Sequence, residues 1–348
     1  MDSTNKEPGT EMAKQHNASK TPGFAYFSDS MRNNLAGDNG RSTGFASGAG
    51  NGGTIAGDWM ANAVTWGSVW TTNPQQVVQY ASCHDNHTLA DKLIKSTNAT
   101  GVTDNIIKMN NLAAAFYMTS QGVPFIHAGE EILREKVDEN GNRAENSYNA
   151  SDFVNHIKWE DVETYADNVD YYQGLIAFRA ANPALRYASS DLVSANVQAI
   201  TTDPNLLVFR VDANGTADTT DEDILVIFNA NKSAKTVTLP AGEWTIYVNG
   251  EKAGTTALGT AEESVNVAAI SAMVLTTPDL GEDEKAPLGA TKEKTIYFTN
   301  NQGWTDVYAY AWTDGGETKL LGEWGGTKAT FYKNNEYGEP VYQITIPA

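Results

Sequence analysis

Between Ser82 and Asp91 the chain reads SCHDNHTLAD, with ionisable or strongly hydrogen-bonding side chains at most positions. A carboxylate (Asp85) beside an imidazole (His84) can stabilise a developing positive charge and hold a hydroxyl-bearing ligand. Asn86 adds an amide that both donates and accepts. Two plainer readings stand beside this one. The stretch could be a polar turn in which Thr88 caps the following helix. It could also be a metal site made by His84, His87 and Asp91, although a lone H-x-x-H with a single cysteine makes no closed ligand set. Two further carboxylate positions follow apolar runs. Asp29 comes after Phe24-Ala25-Tyr26-Phe27, where it could serve a ligand or cap a helix over Met31–Leu35. Glu130 comes after Val123–Ala128 and could act as a general acid. An ion-pair group formed with Glu131, Arg134, Glu135 and Lys136, ordering the loop, is the favoured reading there.

These groups need elements that aim them. Val77-Val78-Gln79-Tyr80-Ala81 has the composition of a buried strand. Thr103 or Asp104 is placed to cap a helix with Ile106, Met109, Ala113, Phe116 and Tyr117 on one face, ended by Gln121-Gly122. Val123–Ala128 reads as the next buried strand, with Pro124 near its start. Strand, helix, strand is the rhythm of parallel βαβ units, whose ligands sit at the C-terminal strand ends. Residues 37–58 are rich in glycine and read as a flexible loop. Gly48, Gly50 and Gly53 spell G-x-G-x-x-G there, but no buried strand precedes them, so no nucleotide fingerprint is assigned. Trp59, Trp66 and Trp70 read as packing residues. A long helix is expected over Tyr165–Ala181, with Tyr171, Leu175, Ile176 and Phe178 apolar and Asn182-Pro183 ending it.

From Leu185 the pattern changes to short strands at turn-spaced intervals: Leu206–Val211, Ile224–Asn229, Thr236–Leu239, Trp244–Val248, Val265–Val267 and Ala272–Leu275. That spacing predicts a β-sandwich. The acidic Pro/Gly stretch PDLGEDEKAPLGATK (278–292) reads as a linker. Beyond it, Val307–Trp312 alternates, so Tyr308, Tyr310 and Trp312 share one strand face. Trp324 follows in a glycine-rich loop. Flat rings of this kind can hold the faces of sugars, and burial within a small domain is the alternative. The 348 residues carry a net charge of −19. This argues against nucleic acid and anionic membrane surfaces, and leaves an uncharged polymer such as a glycan compatible. Cys83 is the only cysteine, so no intramolecular disulfide is expected. No run of about 18 apolar residues predicts a membrane helix, and the polar first 20 residues predict no signal peptide.

The string CHDNHTLADKL resembles the late active-site strand of the alpha-amylase clan, glycoside hydrolase family 13, and within it the type I pullulanases. HAGEEILREK is similar to the clan's final barrel strand, and NSYNASD resembles a pullulanase segment. YYQGLIAFRAANPALR matches the same family. The resemblance implies that Asp85 is the transition-state stabiliser and that His84 hydrogen-bonds the central sugar. It makes Asp29, Asn86, Arg134, Asn146, Tyr148 and Asn149 candidate substrate contacts. TIYFTNNQGWTDVYAYAW resembles the opening of carbohydrate-binding module family 26, with Tyr308, Tyr310 and Trp324 as sugar-stacking rings.

The implied fold is α/β plus all-β. Residues 1–184 form the C-terminal part of a (β/α)8 barrel, 185–277 a C-terminal β-sandwich, and 293–348 a starch-binding module expected to be truncated. The implied activity is hydrolysis of α-1,6 bonds in pullulan and branched starch with retention. No cofactor is required, and a structural calcium ion is allowed for. The implied partners are α-glucans (pullulan, starch, glycogen), and the N-terminal half of the barrel if another chain supplies it. A full-length protein of this kind is expected to be secreted or held at the cell surface. Retention needs a nucleophile and an acid/base, which the clan carries in G-F-R-x-D and G-E-G-W strings. Neither string occurs among the 348 residues, so the chain alone is expected to be inactive. A non-catalytic starch-binding fragment is one alternative. Another hydrolase of the clan, such as an amylase or isoamylase, is a second, against which NSYN argues.

Overall fold

The computed structural model describes residues 13–40, 42–61, 70–216, 222–277, 294–312, 319–335 and 337–346. The expected linker and Trp66 lie outside them. The chain divides into two compact units, Met1–Glu282 and Asp283–Ala348.

In the first unit, β1 (Tyr26–Phe27) leads into α1 (Asp29–Ala36). The helix is capped by Ser28, whose hydroxyl accepts from the Met31 N–H at 3.2 Å. Asp29, the residue expected to cap it, lies instead in the first turn, where a negative charge suits the helix dipole. The glycine-rich stretch is not a loose loop: it contains α2 (Gly52–Trp59). A side chain at Gly52 would bring a Cβ to 2.2 Å from the Asp203 carbonyl, so only glycine allows this helix to start against the sandwich. Trp59 is fully buried and stacks on Phe209, with centroids 4.3 Å apart.

Next come β2 (Val77–Gln79), α3 (Leu89–Thr97), α4 (Asp104–Thr119) and β3 (Val123–Pro124). Strands β1, β2 and β3 form a parallel three-stranded sheet in that order. The buried strand expected over Val123–Ala128 is only two residues long and not buried. Val123 is exposed, as are Phe24 and Phe27. Phe27 still packs edge to face on Tyr80 and Phe125, and Ile126 packs against the main core. Thr103 and Thr88 cap α4 and α3 through their hydroxyls. Helix α4 is buried on nearly every side from Met109 to Thr119 and not along one stripe. It lies between α3, the later helices and the sandwich. Short α5 (Asp152–Asn155) and α6 (Asp161–Thr164) precede α7 (Ala166–Ala181). Tyr171, Leu175 and Phe178 of α7 are buried, but Ile176 faces outward. Among the described residues no helix is long and apolar enough to cross a membrane.

Helix α8 (Ser190–Asn196), with no counterpart in the sequence reading, opens the β region. Strands β4 (Val197–Asp203), β5 (Leu206–Val211), β6 (Ile224–Asn229), β7 (Lys235–Thr238), β8 (Trp244–Val248), β9 (Gly259–Ala261), β10 (Ser264–Val267) and β11 (Ser271–Thr276) follow. They form an antiparallel six-stranded sheet, β4-β5-β6-β11-β8-β9, and a two-stranded sheet, β10-β7. Side chains alternate across the large sheet. Phe209, Val226, Phe228 and Val274 join the helices in one core. Val208, Leu225, Ile227 and Leu275 pack with β7 and β10 in a second. Phe116 of α4 meets Phe228 at 4.4 Å. Residues 185–277 are therefore continuous with the helices and do not stand as a separate body.

The second unit has β12 (Lys294–Thr299), β13 (Tyr308–Ala309), β14 (Thr327–Lys328), β15 (Thr330–Asn334) and β16 (Pro340–Ile346). They pair antiparallel as β12-β16-β15 and β13-β14. Its small core holds Val307, Leu321, Ala329 and Ile344, with Ala309 and Ala311 packed against it. The alternation expected at 307–312 is met in its facing, although only Tyr308–Ala309 is strand. Tyr308 and Trp312 are exposed.

Candidate active site

The polar cluster stands at the C-terminal end of β2, the middle strand of the parallel sheet. Tyr80 is buried, and its hydroxyl donates to Asp29 at 3.1 Å. Arg32 approaches Asp29 at 3.4 Å and lies over the Tyr80 ring at 5.9 Å. Phe27, Tyr80 and Phe125 meet edge to face beside them. His84 Nε2 and Asp85 Oδ1 are 3.5 Å apart, with side chains 77% and 67% exposed. Asp85 is thus open to water in this structure and not buried as a charge-stabilising carboxylate would be in a closed cleft. The cavity beside it measures only about 20 Å³, room for about one water. The described residues therefore do not enclose a sugar here.

Asn86 and Asn146 clasp each other. The Asn86 N–H donates to Asn146 Oδ1 at 2.8 Å, and the Asn146 N–H returns a bond to the Asn86 carbonyl at 3.2 Å. Both residues have positive φ, 64° and 52°, a region that asparagine tolerates better than most side chains. This brings the NSYN segment to the strand-end loop. Tyr148 (85% exposed) and Asn149 sit free at its surface. Arg134 is committed differently: its guanidinium donates to the Ala128 carbonyl at 3.2 Å and to the Asn155 carbonyl. It fixes backbone in this structure.

Asp91, fully buried, is the hub underneath. It accepts from the Thr88 hydroxyl at 2.9 Å and the Lys136 N–H at 2.7 Å, and pairs with Arg143. His87 is buried too. Its Nδ1 lies 3.2 Å from the Ala144 carbonyl and its Nε2 2.8 Å from Lys95 Nζ. Burial, then the Lys95 charge, lowers its pKa. Both ring nitrogens are occupied within the protein, so the His84–His87–Asp91 metal reading fails. Among the described residues no group of three or more His, Cys, Asp or Glu side chains is placed to hold a metal ion.

Glu130 is not the ion-pair group expected. It is buried and accepts from Tyr117 Oη at 2.6 Å, Ser82 Oγ at 2.7 Å and Tyr172 Oη at 3.3 Å. Asn110 bonds both the Glu130 carbonyl and the Tyr172 hydroxyl. Burial raises its carboxyl to about 7, against the pull of the Tyr117, Ser82 and Tyr172 hydroxyls. A raised carboxyl pKa means that the folded state holds a proton that the unfolded chain releases. This contribution to stability is present below about 4.5 and is lost as pH rises through about 7. The full loss corresponds to about 3 kcal/mol. Glu130→Gln should remove that slope, and urea titrations of both proteins at pH 5 and pH 8 measure it. Equal pH dependence in the two proteins would show that Glu130 does not titrate in this window.

Sequence reasoning gave Tyr80, Tyr117 and His127 only places in expected buried elements, and left Ser82 and Tyr172 without roles. Tyr80 and Ser82 stand two apart just before His84, a spacing that puts two hydroxyls on one side of an extended chain. Tyr117 and Tyr172 had no local signal, because they meet Glu130 only through helix packing. Burial, then the charges of Lys136, Arg134 and His84, lowers His127 to about 4.

Residues 193–252 match the family described as "Pullulanase, all-beta domain". The pullulanase of Bacillus subtilis strain 168 is 32% identical over 239 residues, covering 67% of this chain and 32% of that protein. The solved structure of a type I pullulanase from B. subtilis, complexed with maltose, has a TM-score of 0.71 at 27% identity, covering 79% of this chain and 38% of that one. The pullulanase from Bacillus acidopullulyticus has a TM-score of 0.67 at 35% identity, covering 73% and 30%. These likenesses set the chain beside the C-terminal region of the pullulanases, a class of glycoside hydrolases. Within that class the chain corresponds to the C-terminal portion of the pullulanases. It spans about a third of the length of these relatives.

Proposed function

We propose that this chain supplies the C-terminal part of the substrate cleft of a pullulanase-type enzyme that hydrolyses α-1,6-glucosidic bonds in branched α-glucans with retention. The observation that carries the reading is Asp85 beside His84 at the end of the middle parallel strand, in a chain that matches pullulanases. Asp85 stabilises the oxocarbenium-like transition state, and His84 hydrogen-bonds the sugar. Asp29, held by Arg32 and Tyr80, forms one rim; Asn86, Asn146, Tyr148 and Asn149 form the other. Arg134 braces the loop behind them. A retaining reaction needs two more carboxyl groups about 5 Å apart, which the remaining part of the barrel supplies. The relative crystallised with maltose supports α-glucan as the ligand class.

The test is reducing-sugar release from pullulan. The chain alone is expected to release no more than its Asp85→Ala variant, and a mixture with the N-terminal part of the barrel is expected to be active. Release by the chain alone above that control would overturn the division of labour.

The second unit is proposed to hold α-glucan on exposed rings. Tyr310 lies 5.3 Å from both Trp312 and Trp324, and Trp324 is 86% exposed. Few torsions are frozen when such rings bind. Changing Tyr308, Tyr310 and Trp324 together to alanine should weaken retardation in starch gels by about tenfold or more, roughly 1.4 kcal/mol. Unchanged retardation would mean that the rings serve only packing.

A further inference from the structure

The turn that carries His84 and Asp85 has few fastenings. The parallel ladder of β2 ends at Gln79, whose carbonyl accepts from the Phe125 N–H at 2.9 Å. Among the described residues, the backbone from Tyr80 to Asp85 makes no hydrogen bond to other backbone. The chain is next tied at Asn86, which bonds to Asn146. Side chains must therefore set the course of the segment in between. Two of them make hydrogen bonds to other elements. The Tyr80 hydroxyl donates to Asp29 at 3.1 Å, and the Ser82 hydroxyl donates to Glu130 Oε2 at 2.7 Å. Ser82 is buried and stands two residues before His84, so its bond is the last anchor before the site.

Glu130 offers that hydroxyl a fixed partner. Its Oε1 accepts from Tyr117 of α4 at 2.6 Å and from Tyr172 of α7 at 3.3 Å. Asn110 of α4 donates to the Glu130 carbonyl at 3.3 Å and to the Tyr172 hydroxyl at 2.9 Å. Two helices thus set the place of the carboxyl group and leave Oε2 for Ser82. The bond survives either charge state. A carboxylate accepts from Ser82, and a carboxylic acid protonated on Oε2 donates to Ser82 Oγ. Apolar side chains of similar volume could fill this space without desolvating a carboxyl group. What the polar set adds is a directional hold on one serine. Glu130 is buried, so any effect on the reaction passes through Ser82.

We propose that Glu130, acting through Ser82, is a positioning residue that fixes the turn bearing His84 and Asp85. The catalytic consequence rests on the reading of Asp85 above; the hold on the turn does not. Two measurements test it. Cys83 lies inside the turn, is 7% exposed and is the only cysteine of the chain. Its rate of labelling by an aromatic disulfide at constant pH therefore reports opening of the turn. In this chain Ser82→Ala is expected to raise that rate by about tenfold or more, as a local opening would. Glu130→Gln should stay within about twofold of the parent, because its amide donates to Ser82 and its carbonyl accepts from the tyrosines. Val274→Ala, a cavity in the buried sandwich core, controls for lost global stability and should leave the rate near the parent's. A Ser82→Ala rate close to the parent's, or one matched by Val274→Ala, would overturn the proposal. In a full-length enzyme carrying this segment, Ser82→Ala is expected to lower kcat on pullulan by about tenfold or more. With Asp85 already changed to asparagine, the same substitution should cost about threefold or less, since the two act through one group. Equal fold losses in the two backgrounds would overturn the positioning role. Parental kcat in Asp85→Asn alone would overturn the reading of Asp85 and the catalytic half of the proposal, while the labelling rates decide the hold on the turn separately.

Discussion

Asp85→Asn, in a full-length enzyme carrying this segment, is expected to lower turnover on pullulan by about a hundredfold or more with little change in substrate binding. Asparagine keeps the size and one acceptor of the side chain and removes only its charge. The missing interaction matters most when the sugar ring becomes cationic, so the loss should appear in kcat and not in KM. Removing one preorganised electrostatic partner of a transition state typically costs about 3–4 kcal/mol. The side chain is two-thirds exposed in this structure, and a charge in water is weakly coupled to its surroundings. Its full effect therefore requires the bound sugar and the rest of the proposed cleft to exclude water. A variant with kcat within a few-fold of the parent on pullulan would remove Asp85 from the catalytic set.

The second large effect is on stability. Asp91→Ala is expected to cost about 3–5 kcal/mol, the range for breaking a buried ion pair and leaving its partner uncompensated. The carboxylate is fully buried and serves three groups from three segments: Thr88 at the start of α3, the Lys136 backbone, and Arg143. Removing it leaves the Thr88 hydroxyl and the Lys136 N–H without their acceptor and takes one of the two carboxylate partners from Arg143. Arg143 keeps Glu135, which limits the loss. Urea denaturation compared with Thr88→Ala separates the hub from the helix cap, since loss of a cap alone costs about 1 kcal/mol. An Asp91→Ala cost no greater than that of Thr88→Ala would show that the ion pair adds nothing.

Features written in local chemistry were legible in the sequence. Thr88 and Thr103 announce helix starts because a hydroxyl must meet orphan N–H groups there. The alternation at Val307–Trp312 gives its facing for the same local reason. Features that depend on what lies opposite were not legible. Helix α4 reads as amphipathic, yet it is buried nearly all round because the sandwich covers its second side. Gly52 reads as part of a loop, and only the approach of Asp203 shows why a helix begins there. The run Val123–Ala128 reads as buried because its residues are apolar, but Val123 is exposed and Pro124, Phe125 and Ile126 are only partly buried, which depends on neighbours that the run itself does not specify. Strands β4 and β9 carry many Thr, Gln and Gly residues and are edge strands, exposed for most of their length. They lack the apolar content that marked the central strands. In the site, Asp85 and His84 could be found from their neighbours in the chain. The environment of Glu130 could not, because its tyrosine donors arrive from two helices.

The sheet that faces helices on one side and β7 and β10 on the other has a thermodynamic consequence. Val226 and Phe228 point into one core while Leu225 and Ile227 point into the other, residue by residue along a single strand. Neither layer can melt without stripping the other of its apolar cover. The helical layer and the sandwich therefore share one cooperative transition, and a cavity opened in the sandwich, far from Asp85, reduces the number of molecules that present the strand-end site without altering the shape of that site in those that remain folded.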